Sequence, residues 1–139
     1  MTVFYGTQMT KIDSVAGTPS PGFVHGTVRC FAETFTMSTQ ATTDTIEIGF
    51  LPKGSVFLYG VLTTDTSLGS ATIAIGIAGT TGKYRAAAVQ TATDTPQIFG
   101  VTAAAGVAEA ADRRVIITIA TASLPASGKL SVTLFYAHN

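Results

Sequence analysis

From Phe23 onward the chain alternates apolar and polar positions with a period of two, the spacing of extended strands whose successive side chains point to opposite faces. Over residues 24–35, Val24, Gly26, Val28, Cys30 and Ala32 fall on one face. His25, Thr27, Arg29, Phe31, Glu33 and Phe35 fall on the other. Residues 45–50 put Ile46, Ile48 and Phe50 on one side. Residues 55–64 set Val56, Leu58, Gly60 and Leu62 against Phe57, Tyr59 and Val61. The cleanest alternation is 71–78, with Ile73, Ile75 and Ile77 inward and Thr72, Ala74, Gly76 and Ala78 outward. Weaker or shorter stretches follow at 83–89 and 97–101. Two more strong ones place Val115, Ile117 and Ile119, then Leu130, Val132, Leu134 and Tyr136, on single faces.

Turn chemistry separates these stretches. Pro52-Lys53-Gly54 pairs a residue of fixed φ with one that accepts a positive φ, Gly79-Thr80-Thr81-Gly82 reads as a hairpin turn, and Pro125 to Gly128 joins the last two strands. Thr-Asp-Thr recurs at 43–45, 64–66 and 93–95, too unevenly for a solenoid repeat. Asp and Thr side chains bond nearby backbone groups, which places each triplet at a strand end. The Ala-rich run 101–112 fits a short helix or a loop with one helical turn, and Gly106 counts against the helix. About eight short strands at this spacing predict an all-β protein, an antiparallel β-sandwich of two four-stranded sheets, jelly-roll-like. An immunoglobulin-like or barrel arrangement stays open, because pattern alone does not order strands.

Residues 1–22 read as an extended N-terminal arm, leaving 23–139 as the sandwich domain. Gly6, Gly17, Pro19, Pro21 and Gly22 break regular structure there. Yet Val3, Phe4, Tyr5, Met9 and Ile12 give the arm more apolar weight than a disordered tail carries. It either packs on its own domain or docks on a partner; in the second case Phe4, Tyr5, Met9 and Ile12 are the candidate assembly contacts.

Charge then narrows the function. The 139 residues hold eight basic and eight acidic side chains, 12% charged against about 25% in an ordinary soluble domain. Few charges and a net charge of zero favour association. Nucleic acid is not an expected partner: the basic residues are scattered, with only Arg113 and Arg114 adjacent, whereas counterion release needs a cluster. Neither is a membrane, since no apolar run reaches the roughly 18–20 residues of a spanning helix, and residues 1–10 lack the basic and apolar regions of a signal peptide. The lone Cys30 allows no internal disulfide, which fits folding in a reducing cytoplasm.

Candidate chemistry is thin, and neither a catalytic residue nor a cofactor is expected. His25 and His138 are isolated, and no zinc-ligand spacing exists. Asp44, Asp65 and Asp94 could hold calcium only if their turns met, and calcium takes six to eight oxygens. Cys30 reads as a buried small hydrophobe on the Val28–Ala32 face, and His25 points to the opposite face of the same strand. No G-x-S-x-G elbow occurs. Gly76 to Lys83 lacks the glycine and hydroxyl spacing of a phosphate loop. Distant carboxylates could still meet as a glycosidase pair.

Several strings carry a resemblance. Gly49-Phe50-Leu51-Pro52-Lys53-Gly54-Ser55, the run from Thr63 to Gly76, Gly82-Lys83-Tyr84-Arg85-Ala86-Ala87, Ala92 to Pro96 and Ala122 to Gly128 are similar to small virion structural proteins of tailed bacteriophages, over roughly residues 45–137. The resemblance implies a capsid decoration, or cement, protein on the outer surface of the virion, made in the host cytoplasm. It implies a homotrimer that clamps and stabilises neighbouring subunits of the major capsid protein. Within the same class stand a head-fibre, vertex or tail component. From other classes stand a carbohydrate- or receptor-binding β-sandwich, for which a chain without Trp is poorly equipped, and an enzyme.

Overall fold

In the computed structural model, which describes residues 26–138, the strands are β1 (Thr27–Thr36), β2 (Thr45–Leu51), β3 (Val56–Thr64), β4 (Thr72–Ile77), β5 (Thr80–Val89), β6 (Gln97–Phe99), β7 (Arg113–Ala120) and β8 (Lys129–His138). They form two four-stranded sheets, ordered β1-β8-β3-β6 and β2-β7-β4-β5, with every pair antiparallel. First pairs with last, second with seventh, third with sixth and fourth with fifth. This nesting is the strand order of a jelly roll, and it confirms the expected sandwich. The arm, its boundary at 22/23 and His25 lie outside the described residues.

The core lies between the sheets. Val115, Ile117 and Ile119 of β7 meet Leu130, Val132, Leu134 and Tyr136 of β8, all buried. β-branched residues dominate β4 and β7 because they pack well on a pleated surface. Leu68, Leu124 and Met37, from the connections, close the ends.

Four expectations about facing need correction. Two arise from β-bulges, each adding a residue to one strand and reversing the alternation beyond it. A bulge between Glu47 and Gly49 turns Phe50 outward, 40% exposed, and seats Leu51 in the core. A second, between Phe57 and Tyr59, turns Tyr59 and Leu58 out and keeps Phe57, Gly60 and Leu62 in. The third correction concerns β1. Its Val28, Cys30 and Ala32 face is exposed, and Phe31 and Phe35 pack against the core. An aromatic ring buries far more area than a thiol or a methyl, so the strand offers the core its phenyl face. The fourth is in β4, where Ala74 and Gly76 are buried along with the isoleucines.

Turns follow their residues. Ser55 N donates to Pro52 O at 3.0 Å around Gly54, whose φ is 83°. The β4–β5 hairpin turns at Ala78 and Gly79, with Ile77 paired to Thr80, two residues earlier than the Gly-Thr-Thr-Gly string implies. Thr80 to Gly82 already belong to β5. The run 101–112 contains no helix; one turn forms where Ala104 N and Ala105 N both donate to Val101 O. The loop then runs back along the start of β3, with Glu109 N donating to Ser55 O and Gly54 N to Glu109 O, each at 2.8 Å.

Candidate assembly surfaces

The two outer faces of the sandwich differ in chemistry. On the β1-β8-β3-β6 sheet, register places Tyr59 opposite Phe135, and Val61 opposite both Thr133 and Ile98. Cys30, Ala32 and Thr34 of β1 continue the face opposite Phe135, Thr133 and Ser131. The Tyr59 and Phe135 rings stack with centroids 4.7 Å apart, and Ile98 is 76% exposed. Among the described residues of this face only Lys129, at the first position of β8, is charged. On the other sheet Glu47 and Arg114 form an exposed ion pair at 2.5 Å beside Phe50. Interface cores are depleted of charge and enriched in aromatics, so a face with a single charge and stacked aromatics has the composition of an interface.

A second feature lies where the loop before β7 crosses the β4–β5 hairpin. The bonds to Gly54 and Ser55 hold Glu109 with its side chain 3% exposed. Lys83 Nζ donates to both carboxylate oxygens at 2.6 Å, Tyr84 OH to Oε1 at 2.6 Å and Arg113 Nε to Oε2 at 3.3 Å. Burial alone would raise the Glu109 pKa, but the bonds from Lys83, Tyr84 and Arg113 hold it below the ordinary carboxylate value. Burial and the same carboxylate push the Tyr84 phenol well above its ordinary range. Beside this cluster opens a cleft of about 480 Å³, lined by Ile77, Thr80, Gly82, Val101, Ala103 and Ala104, with Lys83 and Arg113.

The candidate contacts Phe4, Tyr5, Met9 and Ile12 lie outside the described residues. The Asp residues of the repeated triplets build turns. Asp44 accepts from Ala41 N, and Asp65 from Lys129 N and Thr66 OH. Asp94 takes a positive φ of 49° in the β5–β6 connection. Among the described residues no three His, Cys, Asp or Glu side chains converge. Sequence reasoning missed the Glu109 cluster, whose members lie up to 30 residues apart in the chain with no spacing rule to join them. It also missed the charge-poor face, which needs the strand order before it can be drawn.

The class defined by this geometry is the eight-stranded jelly roll. Solved structures share it: a chain in the capsid asymmetric unit of cyanophage Pam1 is similar at 21% identity and TM-score 0.71, covering 92% of this chain and 96% of that one. A chain in the capsid of Ralstonia phage GP4 matches at 21% identity and TM-score 0.61, over 82% and 84%. One in the acid-stable capsid of Helicobacter pylori bacteriophage KHP30 matches at 12% identity and TM-score 0.62, over 83% and 90%. At these identities the likeness is one of fold. No protein-family model and no curated protein matches the chain.

Proposed function

We propose that this protein is a non-enzymatic structural component of a bacteriophage virion that decorates the outer surface of the head as a homotrimer, clamping neighbouring major capsid subunits and stabilising the shell. The observation that carries this reading is the end-to-end match to a chain of the Pam1 capsid, which leaves little of either chain unaccounted for. The charge-poor, aromatic-bearing sheet face supports it, because few ions of such a surface must be stripped of water on docking. Many copies of a modest clamp then act together through multivalency. The arm contributes Phe4, Tyr5, Met9 and Ile12 as anchors. A protein lacking residues 1–22 should keep its fold and lose shell binding; full-strength binding by the truncated chain would remove the arm from the mechanism.

The test is copy number in purified virions, by quantitative mass spectrometry against the major capsid protein. A ratio approaching one to one is expected of a lattice-covering decoration protein. A handful of copies per particle would instead indicate a vertex, fibre or tail component, and absence from virions would overturn the reading.

A further inference from the structure

The cleft beside Glu109 has an unspent charge. Two cations, Lys83 and Arg113, face one buried carboxylate, leaving an excess of one positive charge at its wall. The nearest acidic side chain in sequence, Asp112, does not line the cleft; it accepts from Lys53 N at 2.8 Å. Arg113 spends only Nε on Glu109, so its two Nη groups have no acceptor among the described residues, and its side chain is 34% exposed. Lys83 is anchored by both Glu109 oxygens with its side chain 23% exposed. Glu109 thus fixes two cations whose remaining donors meet no acceptor among the described residues. The rest of the wall is small and apolar: Ile77, Val101, Ala103 and Ala104.

We infer that this cleft receives an acidic side chain of a neighbouring polypeptide, its carboxylate on the free Nη edge of Arg113 and its small flanking residues against Val101, Ala103 and Ala104. A guanidinium edge donates two parallel hydrogen bonds to a carboxylate, a geometry a lysine cannot reproduce. The volume of about 480 Å³ falls in the range of ligand clefts, about 300–1,000 Å³, and exceeds what one carboxylate fills, so flanking residues enter with it. Buried Glu109 makes the site selective: an incoming cation would meet Lys83 and Arg113 with no free carboxylate. That the polypeptide is a shell subunit rests on the proposed function. The carboxylate preference of the cleft does not.

The test is an NMR titration of the full ¹⁵N-labelled chain with two blocked pentapeptides, acetyl-Ala-Ala-Glu-Ala-Ala-amide and its Gln counterpart. The Glu peptide should shift the amides of Lys83, Ala103 and Ala104 and the Arg113 Nε signal, and the Gln peptide should bind about tenfold more weakly. Equal responses to both peptides, or responses elsewhere on the surface, overturn the inference. Arg113→Lys keeps a cation beside Glu109 and should retain the fold while losing about tenfold in peptide affinity; undiminished affinity overturns the inference. The same variant is then tested on shells. If it binds them as the native chain does, the cleft is not the shell contact and this inference fails while decoration stands. If the native chain prefers the Glu peptide yet ignores shells, decoration fails and the cleft's selectivity stands.

Discussion

The phenol of Tyr84 and the carboxylate of Glu109 meet at 2.6 Å inside the protein, joining the edge strand β5 to the loop that precedes β7. Tyr84 is fully buried, with its ring centroid 4.6 Å from that of Phe57, so its hydroxyl has no water to fall back on. Glu109 therefore satisfies a buried donor while it pins two surface cations. Tyr84→Phe should cost about 1 kcal/mol, the net worth of one such bond. Glu109→Gln should cost about 2 kcal/mol, a figure discounted because Lys83 and Arg113 can still reach water. Denaturant unfolding at neutral pH reads both.

The same carboxylate makes stability depend on pH. Its pKa is lowered on folding from 4.5, so its contribution is fully present above that unfolded value and is lost as pH falls through the lower, folded one. Asp65, lowered from 3.8 chiefly by the Lys129 backbone N–H, acts in the same direction at lower pH. The melting temperature should be flat with respect to these groups between pH 6 and about 5.5 and decline below about 4.5. In Glu109→Gln the decline should be shallower, leaving the Asp65 part. An unchanged slope in the variant would show that Glu109 does not titrate with folding.

Gly60 and Gly76 are among the glycines where an added methyl group would collide. A Cβ at Gly60 would lie 2.1 Å from Phe99 Cζ, and one at Gly76 would lie 2.3 Å from Thr80 O and 2.4 Å from Thr81 O. The first obstacle is a side chain that can swing; the second is backbone of the β4–β5 hairpin. Gly60→Ala should cost about 1–3 kcal/mol, and Phe99→Leu should relieve part of it. Gly76→Ala should cost more, with no single side-chain change able to rescue it. Thermal unfolding of the four proteins separates the cases.

Cys30 should react with a maleimide in the native protein, because its strand turns the thiol to solvent. Labelling that required denaturant would restore the buried reading of that face.

Ile98 is the most exposed large apolar side chain of the charge-poor sheet face. Ile98→Glu should change stability by no more than about 0.5 kcal/mol, since little packing is lost. It should weaken self-association or shell binding, read by sedimentation and by cosedimentation with shells. Arg114→Ala, on the charged face, is the control and should leave both unchanged. Equal effects from the two would show that the faces do not differ in function.

The alternation of apolar residues was enough to locate all eight strands, because a sheet with one face in the core leaves a period of two wherever register is unbroken. Ile73, Ile75, Ile77, Val115, Ile117, Ile119 and the inward residues of β8 were legible for that reason. Alternation failed at Phe50 and at Tyr59, since a bulge leaves no mark in an apolar string beyond the residue it displaces. It failed at Cys30, where both faces of an edge strand carry apolar residues and only the bulk of Phe31 and Phe35 decides between them. The candidate sites were less legible still. The order β1-β8-β3-β6 brings Ile98, Val61, Thr133 and Ala32 into one row across the sheet.

Local chemistry, then, determined the strands, the turn at Pro52–Gly54 and the poverty of charge. Tertiary structure decided the nesting of strands, the bulges that reverse facing, and the meeting of Lys83, Tyr84 and Arg113 on Glu109. The reason is physical: periodicity and turn propensity act between neighbours in the chain, whereas a buried carboxylate is held by groups that only long-range strand pairing brings within hydrogen-bonding distance.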